Sequence, residues 1–207
     1  SETDRVVATA WIDLVTSQGH YPFRAALVMQ KPSYFRLEVL PVIGTPDFFL
    51  AATPDDLSVW IPSKGEFYSG KPTASNLERF LNWGMNLDDI VSILTGSCPS
   101  FGGAQATDDA FQEGDLNRIE MKKPRGPLQT IWMNKNGLMA KLVRYDSAGR
   151  EIYNVEYQYD GSRCYPPLEL SIRFANHVTS MTLKYSDWKV EKAADRKIFE
   201  LPVPDDA

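Results

Sequence analysis

The stretch YFRLEVLPVIGTPDFFLA, residues 34–51, contains a strand, a turn and the beginning of a second strand. Phe35, Leu37 and Val39 alternate with charged residues, which is the pattern of a strand with one apolar face. The Gly-Thr-Pro triplet that follows is typical of a turn. The stretch therefore predicts two strands that the turn joins.

The turn has an unusual polarity for a connection between strands. Val42 and Ile43 enter it, and both are β-branched hydrocarbons at a place where polar side chains are usual. Gly44 permits the change of chain direction. We interpret Val42 and Ile43 as a tip that contacts a membrane or an acyl chain, with packing under a neighbouring loop as the alternative.

Segments with strand-like alternation continue along most of the chain, and short turns separate them. Asn136-Gly137 between two apolar-patterned runs is the strongest hairpin signal. Serial hairpins indicate an antiparallel meander and not a parallel nucleotide-binding sheet. Besides residues 34–39, we predict strands near residues 6–15, 22–30, 47–53, 57–62, 66–69, 116–123, 128–135, 138–146, 153–159, 168–174 and 178–186.

Two short amphipathic helices are predicted in the middle of the chain, within residues 73–96. The segment 75–78, Ser-Asn-Leu-Glu, has the signature of a capping box at the start of the first helix. Asn86 is positioned to cap the second helix, which Gly96 ends. The segment 97–115 is rich in Gly, Ser and Asp, and we predict a mobile loop there.

The predicted sheet has more apolar face than the predicted helices can cover. Two helices of roughly ten residues, each about 15 Å long, cannot cover about ten strands. Either the sheet curls on itself, or an apolar cavity remains under the helices. Each of the following candidate cavity residues has core packing as its alternative role: Phe35, Leu37, Val39, Phe49, Leu77, Phe80, Leu81, Ile90, Leu94 and Trp132.

Composition and motifs exclude several classes of function. The 207 residues carry a net charge of −5, so a general nucleic-acid footprint is absent. No apolar run approaches ~18 residues, the length of a membrane span. The sequence has none of the common nucleophile, zinc or phosphate-binding motifs, and we expect no metal, no cofactor and no catalytic residues. A hydrolase with a site built from dispersed residues ranks well below a binding protein.

The beginning of the sequence leaves the cellular compartment open, and the two cysteines leave their pairing open. The sequence begins with SETDRVVATAWID, which contains no leader pattern, so the protein is cytosolic or the sequence begins after a removed signal. Cys98 and Cys164 stand in no metal or redox spacing. They either pair in an oxidising compartment or remain two thiols.

Three segments resemble the bacterial lipoprotein-localisation fold, the fold of the periplasmic carrier LolA and the outer-membrane receptor LolB. The first is FRLEVLPVIGTPDFFLA (35–51), a strand, an apolar tip and a return strand. The second is LSVWIPSKGEFYSGKPTASNLERFL (57–81), a strand pair followed by the first helix. The third is CYPPLELSIRF (164–174), continued by LKYSDWKVEKAADRKIFELPVPDD (183–206).

The resemblance implies one domain over residues 1–207: a mainly β, α+β fold in which a single curved antiparallel sheet of about ten or more strands forms a half-closed barrel. The two helices would act as a lid over an apolar cavity that holds a lipid or the acyl chain of a lipoprotein. The LolB-like branch is favoured because its members carry a protruding apolar residue where this chain has Val42 and Ile43.

By the same resemblance, we expect a non-enzymatic monomer in the bacterial periplasm. It would be anchored to the outer membrane through a lipidated cysteine just before residue 1, which lies outside this sequence. Its role would be localisation of lipoproteins or lipids. The alternative is a structural or assembly lipoprotein whose concave face binds a protein partner.

Overall fold

The computed structural model describes residues 4–99, 107–124, 126–161, 165–193 and 195–205. The chain divides into two compact units, which we describe separately. The first unit comprises Ser1–Ile12, Pro22–Thr95 and Tyr185–Ala207, and the second comprises Asp13–Tyr21 and Gly96–Lys184. The prediction of a single domain stays a prediction.

Thirteen strands and two α-helices make up the regular structure of the described residues. The strands are β1 (Asp4–Thr16), β2 (Gly19–Gln30), β3 (Tyr34–Leu40), β4 (Phe49–Ala52), β5 (Leu57–Ile61), β6 (Glu66–Gly70), β7 (Thr107–Glu113), β8 (Leu116–Lys123), β9 (Gly126–Met133), β10 (Met139–Tyr145), β11 (Glu151–Gln158), β12 (Glu169–Phe174) and β13 (Ser180–Lys192). The helices are α1 (Ala74–Leu81) and α2 (Leu87–Leu94).

The strands form one antiparallel sheet in the order β6-β5-β4-β3-β2-β1-β13-β12-β11-β10-β9-β8-β7. Strands that follow each other in sequence are neighbours in this order throughout β1–β6 and β7–β13, as expected for serial hairpins. The prediction of a mainly β chain with one antiparallel sheet of about ten or more strands and two short helices is confirmed.

The helix caps show which part of the helix prediction was right. Asn86 caps α2 as predicted, since its side-chain oxygen accepts a hydrogen bond from the backbone N–H of Asp89 at 2.8 Å. The N-cap of α1 is Thr73, whose hydroxyl accepts from the N–H of Asn76 at 3.2 Å. The capping box predicted at Ser75 is therefore wrong, because Ser75 already lies inside the first turn.

In the first unit, β2–β6 present one apolar face to the helices. Leu37 on β3 lies opposite Leu27 on β2 and Leu50 on β4, and all three are buried. Phe35 lies on the same face, and its ring centroid is 6.1 Å from that of Trp83, which follows α1. We call this the helix-covered face.

The opposite face of the same strands, which we call the outer face, is partly covered by the C-terminal segment. A short 3₁₀ turn at Lys197–Phe199 buries the ring of Phe199 against Val28 and Tyr34. The guanidinium of Arg36 donates to the carbonyl oxygen of Ile198 at 2.8 Å. The segment is thus held on the sheet by apolar burial and by a charge-assisted hydrogen bond.

In the second unit, β10–β12 alternate between buried apolar residues and exposed polar residues. Val155 on β11 lies opposite Leu142 on β10 and Ile172 on β12, and all three are buried. On the other face of these strands, the guanidinium of Arg173 lies 3.1 Å from the carboxylate of Glu156. This alternation is the pattern from which the strands were predicted.

One strand of the second unit was not predicted. Residues 107–113 form β7, whereas we expected a loop over 97–115; residues 100–106 lie outside the described part of the chain. The strand pairs with β8 through charged and aromatic contacts, since Lys122 lies 2.9 Å from Asp109 and Arg118 lies over the ring of Phe111. Cross-strand pairing stabilises a strand whose own composition favours a loop.

Neither helix in the part of the chain that the structure describes has the length and hydropathy needed to cross a membrane.

Candidate functional site

Most of the predicted cavity residues of the first unit lie in its packed interior. Phe35 and Leu37 are buried on the helix-covered face, and Val39 on the same strand is half-buried. On the helices, Phe80 is half-buried against Tyr68, at a centroid distance of 5.2 Å. The buried helical members of the set are Leu77, Leu81, Ile90 and Leu94.

Two of the predicted residues lie elsewhere. Phe49 is on the outer face, because it pairs with Glu38 on β3 and with Trp60 on β5, while its neighbour Leu50 points to the helix-covered face. Trp132 belongs to the second unit, where its indole N–H donates to the carboxylate of Glu113 at 3.1 Å.

The interior of the first unit also contains residues that the sequence did not single out. Trp83 is fully buried, and Met85 is buried beside it in the connection between the two helices. A bulky apolar residue between two helices is a signal of a buried connection, but Gly84 beside Trp83 is equally typical of a helix end.

Polar contacts fix the position of α2 against the sheet of the first unit. The Ser33 hydroxyl donates to the carboxylate of Asp88 in the first turn of α2. At the other end, the Tyr185 hydroxyl donates to the carbonyl oxygen of Leu94 at 2.5 Å. A carboxylate near a helix N-terminus and a donor at its last carbonyls both satisfy groups that the helix itself leaves unpaired.

The loop between β3 and β4 carries two strongly exposed apolar side chains. Val42 is 98% exposed and Ile43 is 90% exposed. Gly44 follows them with φ +97°, a left-handed conformation that strains any residue with a Cβ. The two side chains therefore form a projecting apolar tip, and the alternative of packing under a neighbouring loop is excluded.

The base of the tip loop is held by a carboxylate. Asp47 accepts hydrogen bonds from the backbone N–H of Ser63 at 2.7 Å and from its hydroxyl at 2.5 Å. The hydrogen bond from the Ser63 hydroxyl, followed by that from its backbone, lowers the pKa of Asp47 below its ordinary value of 3.8. The loop thus has an anchored base and a free apolar end.

The described residues offer no group of three or more His, Cys, Asp or Glu side chains arranged to hold a metal ion. Of the two cysteines, Cys164 lies outside the residues that the structure describes, so their pairing stays open. The tip presents exposed hydrocarbon, and the hydrocarbon of the helix-covered face is buried.

Comparison with known proteins supports the fold. No protein-family model and no curated protein matches the sequence. Among solved structures, a LolA superfamily protein from Nitrosomonas europaea has a TM-score of 0.62 at 16% identity, over 97% of this chain and 91% of the other. A domain described as an outer-membrane lipoprotein-sorting protein, from Vibrio parahaemolyticus, has a TM-score of 0.61 at 15% identity, over 96% and 90% of the two chains.

A third structure, of a DUF1329 family protein from Desulfovibrio piger, has a TM-score of 0.61 at 12% identity, with 97% of this chain and 90% of the other covered. The chain therefore has the LolA/LolB-like fold, as its sequence segments indicated. At these identities the likeness concerns the fold alone.

Proposed function

We propose that this chain is a non-enzymatic, LolB-like lipoprotein of the bacterial periplasm and outer membrane that binds a lipid or the acyl chain of a lipoprotein. Its role is localisation of lipoproteins or lipids to the outer membrane. The fold supports this proposal, because the neighbours include a LolA superfamily protein and a lipoprotein-sorting domain. The proposed function requires no formation or cleavage of a covalent bond.

The exposed tip is the single observation that carries the proposal. The β-branched side chains of Val42 and Ile43 are 98% and 90% exposed. Contact of this hydrocarbon with water is unfavourable, and no packing contact offsets the cost. Full burial of such a side chain contributes about 1.5–3 kcal/mol. Insertion of both side chains into an apolar phase therefore supplies a few kcal/mol, which suits reversible contact with a bilayer or an acyl chain.

Acyl binding follows the same energetics. Each CH₂ group that leaves water contributes about 0.8 kcal/mol, so a chain of about ten such groups gains enough to be held without any specific polar contact. The proposed ligand is therefore defined by its hydrocarbon part, and the proposed sequence of events is contact at the tip followed by uptake of the chain.

Vesicle binding tests the membrane contact. The Ile43→Glu variant should bind phosphatidylethanolamine–phosphatidylglycerol vesicles several-fold more weakly in co-sedimentation, because a carboxylate at the tip resists insertion. Val190→Glu is the matched control, since Val190 is also in the first unit, is 51% exposed and lies on β13, away from the tip loop.

Both variants should keep the melting temperature of the parent, since neither side chain is in the core. Equal loss of binding in the two variants would overturn the role of the tip. A large fall in the melting temperature of Ile43→Glu alone would instead assign Ile43 to the packed interior.

Native mass spectrometry tests the acyl ligand. Protein purified under mild conditions should carry a lipid adduct that organic extraction removes and added phospholipid restores. If no adduct appears and added lipid fails to bind, the acyl-binding part of the proposal is wrong, whatever the outcome of the vesicle experiment.

A further inference from the structure

Three aromatic residues form a row on the outer face of the first unit. Phe49 on β4 lies opposite Trp60 on β5, and Trp60 lies opposite Phe67 on β6, with a centroid distance of 6.4 Å between the last two rings. All three are only half-buried. The solvent-facing side of a sheet usually carries polar side chains, so a row of half-exposed aromatic residues on the outer face is unusual.

The C-terminal segment forms a second wall beside this row. Phe49 and Trp60 on the strands and Val203 in the C-terminal segment line the groove between them, which has a volume of about 630 Å³. We call it the outer groove. Its size is within the range of about 300–1,000 Å³ that is usual for small-molecule sites.

The wall that the C-terminal segment provides is held without hydrogen bonds within the described part of the chain. No hydrogen bond joins Leu201–Asp205 to any other residue that the structure describes, and two of these five residues are prolines without an N–H group. Val203 is 66% exposed. An apolar ligand that lies against this segment therefore breaks no hydrogen bond of the described residues.

The polar groups of the outer groove do not suit a peptide or a free fatty acid. The Arg36 guanidinium is already engaged, since its Nε donates to Glu38 at 2.9 Å and another nitrogen donates to the carbonyl oxygen of Ile198 at 2.8 Å. It therefore offers little to a peptide carbonyl or to a free carboxylate. Asp205, which also lines the groove, would repel a free carboxylate. An ester-linked hydrocarbon chain needs no such partner.

The position of the outer groove connects it to the tip. Thr45 and Pro46 line the groove and belong to the same β3–β4 loop as Val42 and Ile43. We propose that the outer groove binds one acyl chain of a phospholipid, at a site separate from the helix-covered face. This inference rests on the proposed function, since the tip supplies the membrane contact from which a lipid chain would enter.

Fluorescence quenching by a brominated lipid tests the site, because bromine quenches only nearby tryptophans. The probe is a phosphatidylcholine with short brominated acyl chains, kept below its critical micelle concentration. Three variants locate the quenched indole. Trp60→Phe reports the outer groove, Trp83→Phe reports the helix-covered face, and Trp11→Phe is the control for adsorption, since Trp11 is 56% exposed on β1.

We expect the probe to quench the parent protein and Trp11→Phe alike, and to quench Trp60→Phe at least twofold less. If quenching falls only in Trp83→Phe, the outer groove is wrong and acyl binding under the helices stands. If it falls only in Trp11→Phe, the probe adsorbs to the surface and the outer groove is wrong. If the parent protein is not quenched, both the outer groove and the acyl-binding proposal fail.

A second pair of variants avoids any change in an aromatic side chain. Val203→Asp places a carboxylate in the wall of the outer groove and should raise the apparent Kd for the probe at least fivefold, because the chain would have to desolvate the charge. Val190→Asp, at an exposed valine outside the groove, should leave the Kd unchanged. Equal Kd values for the two variants would overturn the proposal.

Discussion

The hydroxyl of Tyr185 on β13 donates a hydrogen bond to the carbonyl oxygen of Leu94, the last residue of α2, at 2.5 Å. Both residues are buried. The carbonyl oxygens in the last turn of a helix have no partner within the helix, and inside a protein each needs one. Tyr185 therefore satisfies the C-terminal end of α2 and fixes that end against the sheet of the first unit.

Replacement of Tyr185 by Phe should lower the free energy of unfolding by about 1–3 kcal/mol, because it leaves the buried oxygen of Leu94 without this donor. Urea unfolding, followed by circular dichroism, measures the change. Tyr68→Phe is the matched control: the Tyr68 hydroxyl donates to the half-exposed carboxylate of Glu66 at 2.9 Å, which water can solvate instead. Equal losses in the two variants would show that the buried hydrogen bond of Tyr185 to Leu94 contributes no more to stability than the half-exposed one of Tyr68.

The sequence predicted α2 and most strands because the signals for these elements are local. Asn86 and the apolar stripe behind it specify where α2 begins and which side it buries. The N-cap of α1 was placed wrongly, since both Thr73 and Ser75 have a hydroxyl that can cap. Only the hydrogen bond to Asn76 distinguishes the two positions.

The candidate site was predictable to a lesser extent, because the face of a strand depends on its register. Phe48, Phe49 and Leu50 are three consecutive apolar residues, so alternation does not determine which of them points to the helices. Pairing with β3 places Leu50 there and Phe49 on the outer face. For Val42 and Ile43 the sequence left open a contacting tip or packing under a neighbouring loop, and their exposure in the structure excludes the packing.

Tyr159 in the second unit should make stability depend on pH in the alkaline range. Burial raises the pKa of Tyr159 to about 12, with a smaller contribution from Tyr165, and its hydroxyl donates to the carbonyl oxygen of Met139 at 2.8 Å. In the unfolded chain the same phenol ionises near its ordinary value of 10. The contribution of Tyr159 to the free energy of unfolding is therefore complete below about pH 10 and is lost as the pH rises towards about 12.

Urea midpoints measured from about pH 9 to about pH 12 should fall less steeply for Tyr159→Phe than for the parent protein. The phenolate absorbance should also show one fewer late-titrating tyrosine in the variant. Tyr21→Phe, at a side chain that is 46% exposed, serves as the control. Identical slopes for the parent and Tyr159→Phe would show that Tyr159 ionises equally easily in the folded and unfolded chain.

Asp47 should make the tip loop sensitive to acid. Its hydrogen bonds to the backbone and the hydroxyl of Ser63 favour the charged carboxylate, which is why its pKa lies below 3.8. Since the folded-state pKa is depressed, the stabilising contribution is present above the unfolded value and is lost as the pH falls through the folded one. Above about pH 5 the base of the loop is therefore fully anchored.

The backbone amide of Ser63 reports this titration directly by NMR. Its chemical shift should change with a midpoint below 3.8, and its protection from hydrogen exchange should fall over the same range. In Asp47→Asn the midpoint should disappear, while vesicle binding through Ile43 near neutral pH should be weakened less than in Ile43→Glu, since the tip itself is intact. A Ser63 midpoint at or above 3.8 would mean that the two hydrogen bonds do not select the charged form, and that other contacts hold the base of the loop.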